Sequence, residues 1–142
     1  MGIYLDTSAL VPLFFHEAAS AALRGRLRKE RELWVSHWTL AEFSSAVAFK
    51  IRAGHTTAAT AQAAHGKLQA VLTQGGLHVA EVQGADFERA AQLCTAHASG
   101  LRTPDALHAA IAARLRCIVL TADRGQAVGC QYHGIGHELL AP

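Results

Sequence analysis

Four acidic residues, Asp6, Glu42, Asp105 and Asp123, stand in largely uncharged surroundings. Glu42, for example, is the only formally charged residue between positions 33 and 49. An ionised carboxylate removed from water is strongly unfavourable unless it is paired or binds a cation. No lysine or arginine adjoins Asp6 or Glu42 in sequence, and carboxylate oxygens suit Mg²⁺ or Mn²⁺. The four residues therefore predict an acidic site for a hard divalent cation.

Each of these carboxylates also has a structural explanation when it is taken alone. Asp6 fits a turn cap as well as it fits a catalytic role, and Asp105 alone is better explained by stabilisation of a first helical turn. Asp123 fits a turn residue before Arg124. Glu42 is the hardest to explain, because few polar neighbours would solvate its face of a helix. The order of all four along the chain carries the functional prediction.

Short apolar segments that alternate with Ala-rich segments must position these carboxylates. The pattern predicts strands at 3–5, 33–35, 77–80 and 117–120, and helices at 18–28, 36–50, 57–73, 86–99 and 103–114. Such alternation predicts a parallel sheet covered by helices on both faces, whose ligands bind at the carboxyl ends of the strands. Asp6 and Asp123 both fall at such ends. The Gly-rich segment after Asp123 gives no clear pattern.

Two helix starts carry recognisable capping signals. Ser36 is predicted to cap a helix whose apolar face is formed by Leu40, Phe43, Val47 and Ile51. Thr103 is predicted to cap another, with Pro104 and Asp105 in its first turn.

The composition predicts one globular domain over residues 1–142. Hydrophobic residues make up 51% of the chain and charged residues 17%, which is far from the composition of disordered proteins. The three cysteines are an odd number without a Cys-x-x-Cys spacing and are interpreted as reduced thiols. No basic leader or long apolar run occurs, so we expect a cytoplasmic protein without a membrane partner. The formal charge of +2 does not by itself indicate a nucleic-acid partner.

Four short motifs are spread over nearly the whole chain. They are LDTSAL at 5–10, Glu42 in the helix after the second strand, RTPDALHAA at 102–110 and LTAD at 120–123. The Asp-Ala-Leu-His sequence in a capped helix, just before a strand that ends in Thr-x-Asp, is the most specific of them. Their order resembles the PIN-domain family, and more closely the VapC-like toxins of bacterial and archaeal toxin–antitoxin pairs.

The resemblance implies a fold, a cofactor and an activity. The fold would be a three-layer α/β/α sandwich with a short parallel sheet, and the activity would be endonucleolytic cleavage of RNA with Mg²⁺ or Mn²⁺. Carried over to the matching positions, Asp6, Glu42 and Asp105 would be the main catalytic metal ligands. Asp123 would be a weaker or water-mediated ligand. One or two ions are equally compatible with the sequence.

Three further residues would support this site. The resemblance implies that the hydroxyls of Ser8 and Thr121 orient a carboxylate or a water molecule. His108 lies one turn after Asp105 and is expected in a supporting or packing contact. The sequence departs from the family pattern after Asp123, where glycines replace a clearly helical stretch.

An acidic site repels RNA, so basic residues outside it must hold the strand. The predicted RNA-binding residues are three arginines of the dense basic cluster and the arginine that begins the third motif: Arg24, Arg26, Arg28 and Arg102. The basic cluster also contains acidic residues, so a helix end that is simply exposed to solvent explains the cluster equally well.

Two other functions compete with the nuclease. The first is a phosphatase with an aspartate nucleophile, but such sites resemble Asp-x-Asp and here Ser8 occupies the second aspartate position. The second is a PIN-like module that binds RNA or a protein without cutting. All four acidic positions are filled, which a purely binding module would not require. The RNA target cannot be read from the sequence.

Two protein partners are expected. The resemblance implies a cognate antitoxin, which would place a peptide with an arginine or lysine against the carboxylates. The resemblance and the high hydrophobic content together predict a homodimer.

Overall fold

The computed structural model describes residues 1–141. Five parallel strands in this range form one sheet, in the order β3-β2-β1-β4-β5. The strands are β1 (Ile3–Leu5), β2 (Leu33–Ser36), β3 (His78–Ala80), β4 (Ile118–Thr121) and β5 (His137–Leu139). Strand β1 is therefore central, and Tyr4 lies beside Trp34 on one side and Val119 on the other.

Seven α-helices in the described range connect or flank these strands. They are α1 (Thr7–Leu10), α2 (Ser20–Leu27), α3 (His37–Arg52), α4 (Ala58–Thr73), α5 (Gly84–Thr95), α6 (Thr103–Arg114) and α7 (Arg124–Tyr132). Short 3-10 turns follow α1 and α5. None of the helices within residues 1–141 is long and apolar enough to cross a membrane.

The side chains of β1 divide the core into two clusters, one on each face of the sheet. Ile3 and Leu5 pack with buried residues of α1 to α4, such as Phe43. Tyr4 points to the other face and packs with residues of α5, α6 and α7, such as Leu107. Side chains alternate between the faces of a strand, so three consecutive buried residues serve two cores. The predicted three-layer α/β/α sandwich with a short parallel sheet is confirmed.

The cap predicted for α3 is present, but its apolar face is shorter than predicted. Ser36 accepts a hydrogen bond from the Thr39 amide at 3.2 Å, and the Thr39 hydroxyl accepts one from the Ser36 amide at 3.1 Å. Phe43 and Val47 are buried, whereas Ile51 is 39% exposed. Ile51 lies in the last turn of α3, where the helix runs beyond the core.

The prediction that Thr103 caps α6 is wrong by one residue. The N-cap is Arg102, which has extended backbone geometry and provides no side-chain cap. The Arg102 carbonyl accepts the first helical hydrogen bond, from Ala106 at 2.9 Å. Thr103 is consequently already helical and Pro104 follows it in the first turn, where a missing amide hydrogen is tolerated.

The Gly-rich segment after Asp123 forms both α7 and β5. Gly129 lies directly against Leu101, since a Cβ placed there would come within 2.3 Å of the leucine side chain. Gly134 ends the helix with a φ of 67°, which glycine adopts without strain. The glycines thus serve close packing and chain reversal, and they leave the helix intact.

Candidate active site at the carboxyl edge of the sheet

Asp6 directly follows the central strand and is 3% exposed. Its Oδ1 accepts hydrogen bonds from the Ser8 hydroxyl at 2.6 Å and from the Ala9 amide at 3.1 Å. The residue therefore caps α1, as the structural interpretation of Asp6 predicted. Burial raises the pKa of its carboxyl above 3.8, against the opposing effects of His108 and Ser8. A carboxyl that is fixed and buried in this way favours binding a cation.

The hydroxyls of Ser8 and Thr121 join the ends of β1 and β4. They lie 3.1 Å apart, and Ser8 Oγ also accepts a hydrogen bond from the Ala122 amide at 2.8 Å. Thr121 Oγ1 accepts the Asp123 amide at 3.0 Å. Both hydroxyls thus lie at the carboxylate edge, and their role in orienting a carboxylate or a water molecule stays a prediction.

Asp123 is exposed and caps α7. Its Oδ1 accepts a hydrogen bond from the Gly125 amide at 2.7 Å. The turn interpretation of this residue is therefore correct, while its position after β4 keeps it at the same sheet edge as Asp6.

Glu42 reaches this edge from α3 and is held by two side chains. Thr7 Oγ1 donates to Glu42 Oε1 at 2.7 Å, and His108 Nε2 contacts the same oxygen. Burial opposes ionisation of Glu42, but the contacts with His108 and Thr7 outweigh it and lower its pKa. Glu42 is accordingly an ionised carboxylate at neutral pH.

Asp105 lies in the first turn of α6, and no side-chain hydrogen bond to its carboxylate occurs within the described residues. Burial, together with the charges of Asp123, Asp6 and Glu42, raises its pKa from 3.8 to about 6. The Gln126 side chain donates to the Asp105 carbonyl at 3.0 Å and links α7 to the start of α6. The other three predicted carboxylates therefore all act electrostatically on Asp105.

This donor set fits a hard divalent cation. The four carboxylates lie at one edge of the sheet, sulfur ligands are missing from the motif set, and the repulsion at Asp105 is what a cation relieves. Across residues 1–141, however, no group of three or more His, Cys, Asp or Glu side chains is close enough to hold an ion. The carboxylates thus influence the pKa of Asp105, but their side chains do not form a complete set of metal ligands within residues 1–141.

The four predicted RNA-binding arginines occupy different parts of the molecule. Arg102 is exposed at the start of α6, three residues before Asp105. Arg24 on α2 and Arg28 directly after it are exposed and border a cavity with Leu33, at the amino-terminal edge of the sheet. Arg26 binds Glu30 and Glu138. Only Arg102 is therefore brought close to the carboxylates.

Sequence reasoning missed a cavity of about 550 Å³ beside Glu42. Thr7 and Glu42 form one part of its lining, and the last turns of α3 contribute Phe49, Lys50 and Arg52. Phe49 is 59% exposed, and Lys50 binds Glu17 at 3.1 Å. Phe49, an aromatic residue beside Lys50 and Arg52 at the end of the predicted helix, was the signal in the sequence that pointed to this surface.

Tyr4 was also missed, although a tyrosine inside an apolar strand is a readable signal because its hydroxyl needs a partner. The hydroxyl is fully buried and lies 2.8 Å from both Ser36 Oγ and His108 Nδ1. Tyr4 thus connects the core to the candidate site.

The model of the PIN domain family matches residues 3–129 of the chain, which include all four carboxylates. The chain belongs to the PIN domain family. No curated protein matches this PIN domain significantly. Solved structures do, although their identity to the chain is low enough that they establish the fold alone.

The similar structures are proteins of comparable size. VapC20 of Mycobacterium tuberculosis, described as a sarcin-ricin loop cleaving toxin, is 19% identical with a TM-score of 0.68, covering 94% of this chain and 95% of its own. VapBC2 of Rickettsia felis, in a structure with a DNA fragment from its promoter, is 18% identical with a TM-score of 0.70. The match covers 99% of this chain and 100% of that one. A toxin–antitoxin complex from Klebsiella pneumoniae is 16% identical with a TM-score of 0.57 and covers 85% and 86%.

Proposed function

We propose that this PIN domain is a Mg²⁺- or Mn²⁺-dependent endoribonuclease and the toxin of a toxin–antitoxin pair. The observation that carries the proposal is the position of the four carboxylates at one edge of the sheet, where burial and the charges of the other three raise the pKa of Asp105 to about 6. Such crowding of acidic groups is unfavourable in the protein alone. It is typical of sites that use a cation for hydrolysis.

Asp6, Glu42 and Asp105 would hold the cation, and the exposed Asp123 would act more weakly or through a water molecule. A bound divalent cation supplies a water molecule of lowered pKa and neutralises charge on the phosphodiester. Ser8 keeps Asp6 in a single orientation, and Thr7 does the same for Glu42. These fixed carboxylates would hold the reacting groups in line.

The RNA strand must be held by cations outside the acidic edge. Arg102 is exposed near Asp105, and Arg52 and Phe49 line the cavity beside Glu42. An arginine can bind a phosphate and an exposed aromatic can stack on a base, which suits a single-stranded substrate. The two groups flank the carboxylates from α6 and from α3.

The toxin role is proposed by analogy with the similar structures. One of them is described as a cleaving toxin and another as a toxin–antitoxin complex. We propose a cognate antitoxin, a homodimer and a cytoplasmic location for this chain as well. The location is consistent with the free thiols of Cys94, Cys117 and Cys130. Light scattering tests the dimer, and a monomer at tens of micromolar, roughly the range of weak dimers, would contradict it.

The nuclease proposal is tested by incubating the metal-free protein with a mixed RNA pool. Cleavage is expected on addition of Mg²⁺ or Mn²⁺ and should stop with excess EDTA. RNA that is bound without being cut would instead favour the non-cleaving binding module. Hydrolysis of a small chromogenic phosphate ester through an aspartyl-phosphate would favour the phosphatase.

A further inference from the structure

His108 is a buried polar residue with partners on both ring nitrogens. It lies on α6 and is 2% exposed. Its Nε2 contacts Glu42 Oε1, and its Nδ1 lies 2.8 Å from the Tyr4 hydroxyl. The ring therefore connects a carboxylate of the candidate site to the central strand.

These partners determine which nitrogen of the neutral ring carries the hydrogen. An ionised carboxylate only accepts hydrogen bonds, so Nε2 donates to Glu42. Nδ1 must then accept the hydrogen of the Tyr4 hydroxyl. The Tyr4 oxygen, in turn, lies 2.8 Å from Ser36 Oγ and 3.1 Å from Thr39 Oγ1, which are the capping pair of α3.

The network thus returns to the helix that carries Glu42. Ser36 and Thr39 bind each other's backbone amides at the first turn of α3, so neither hydroxyl moves independently of the helix. Glu42 follows one turn later. Its side chain is therefore fixed relative to its own helix start through Tyr4 and His108.

Both donors to Glu42 use the same oxygen. Thr7 Oγ1 donates to Oε1, and His108 Nε2 contacts Oε1 as well. Among residues 1–141, Oε2 has no hydrogen-bond partner. Two donors on Oε1 hinder rotation of the carboxylate and leave Oε2 as the oxygen available to a ligand.

We propose that His108 is a positioning residue that fixes Glu42 and assigns its Oε2 to the divalent cation. The proposal rests on the proposed function insofar as a cation binds at these carboxylates. Hydrogen bonds of this kind orient metal ligands, and their loss typically weakens metal binding by about 10- to 100-fold. The alternative is that His108 only fills the core beneath the site.

Two substitutions of similar polarity separate these roles. The amide nitrogen of glutamine reaches the position of Nε2, so His108→Gln keeps the donor to Glu42 and loses the acceptor for Tyr4. The amide of asparagine reaches only the position of Nδ1, so His108→Asn keeps the contact with Tyr4 and loses Glu42. His108→Asn leaves the larger packing defect, so the Tm of each variant is measured beside its Kd for Mn²⁺, and each variant is the control of the other.

The measurement is the Kd for Mn²⁺ of the full chain, from the EPR signal of free Mn²⁺, together with the Tm of the metal-free protein. We expect His108→Asn to weaken Mn²⁺ binding by about 10- to 100-fold. His108→Gln should stay close to the wild type even if both variants melt at lower temperature. Equal Kd values in all three proteins, or equal weakening in both variants, would overturn the positioning role.

A second measurement uses the metal-free wild type alone. The ¹⁵N shifts of the His108 ring should show a hydrogen on Nε2 and an accepting Nδ1, and the opposite tautomer would overturn the proposal. Failure of the nuclease proposal remains distinguishable. A wild type that binds Mn²⁺ but does not cleave RNA would contradict the nuclease, while the difference between the two variants would still support His108 as a positioning residue.

Discussion

Arg114 binds Asp86 through two hydrogen bonds, from Nε to Oδ1 at 2.8 Å and from Nη2 to Oδ2 at 2.9 Å. Burial opposes ionisation of Asp86, but Arg114 and the Gln83 amide outweigh it and lower the pKa of this carboxyl. The Asp105 carboxylate has no comparable partner within residues 1–141, and its pKa is raised to about 6. Asp86 is thus a buried carboxylate that joins α5 to α6 through Arg114, whereas the Asp105 carboxylate has no such cationic partner within residues 1–141.

The two aspartates should respond oppositely to replacement by asparagine in the metal-free protein at pH 7. Asp105→Asn removes a charge from a repulsive cluster, so its Tm should stay the same or rise. Asp86→Asn weakens the hydrogen bonds with the partly exposed Arg114 and should reduce the free energy of unfolding by about 1.5–3 kcal/mol. Thermal denaturation in EDTA measures both. Equal destabilisation by the two substitutions would mean that Asp105 also stabilises the fold.

The stability gained from Asp105→Asn should depend on pH. The pKa of Asp105 is raised from 3.8 to about 6 on folding, so the folded protein binds a proton more tightly than the unfolded chain. Stability from this group is fully present below pH ~4 and is lost as pH rises to ~6. The raised pKa of Asp6 acts in the same direction, and the lowered pKa of Glu42 acts in the opposite one.

The difference between the wild type and Asp105→Asn isolates this contribution from those of other groups. We expect the variant to gain stability relative to the wild type between pH 4 and pH 6 and to gain no more above pH 7. Denaturant unfolding at each pH gives the difference. A constant difference over this range would show that Asp105 titrates normally.

Addition of Mn²⁺ should stabilise the wild type by about 2.7 kcal/mol at a hundredfold excess over the Kd. Asp6→Asn and Asp105→Asn should gain much less, because each loses a ligand. Asp123→Asn should show a milder loss, since the exposed Asp123 is proposed to act more weakly or through a water molecule. Asp86→Asn is the matched control and should keep the full gain. Equal stabilisation of all four variants would place the Mn²⁺ elsewhere.

The arginines should separate into those that bind RNA and those that do not. In an Asp6→Asn background, which prevents cleavage, Arg102→Gln should weaken binding of a single-stranded RNA. The slope of log K against log salt should fall by about 0.7 if one phosphate contact is lost. Arg24→Gln is a control of equal charge at the amino-terminal edge of the sheet and should change little. Similar losses in both would indicate a longer RNA path around the molecule.

Gly129→Ala should be strongly destabilising, although alanine normally favours helices. A Cβ at this position would lie 2.3 Å from Leu101, so the two elements would have to separate. Overpacking of this kind is unfavourable by about 1–3 kcal/mol. Gly125→Ala, also in α7, is less crowded and serves as the control. Equal effects of both would contradict tight packing of Gly129.

The parts of the fold that sequence predicts are those that local patterns determine. Strand β1, its capped turn at Asp6 and the strand before Asp123 follow from apolar runs that end in polar residues. Helix α7 could not be predicted, because Gly129 within it is explained only by contact with Leu101, which is distant in sequence. The shift of the α6 cap from Thr103 to Arg102 likewise depends on backbone geometry.

In the candidate site, too, features that local sequence determines were predicted, and features that depend on distant residues were not. The four carboxylates were visible as isolated charges among apolar residues. Their partners were less visible, because Tyr4 and Thr7 acquire their roles only when strand β1 meets helices α3 and α6. The pairing of Arg26 with Glu138 also arises from residues far apart in the chain.

Cleavage of single-stranded RNA by the wild type and by Asp105→Asn, each with EDTA or Mn²⁺, tests the central proposal most directly. The wild type should cut only with Mn²⁺, and Asp105→Asn should be slower by about a thousandfold or more while remaining as folded as the wild type. A folded Asp105→Asn protein that keeps full Mn²⁺-dependent cleavage would show that these carboxylates are helix caps and turn residues. In that case the nuclease site would lie elsewhere.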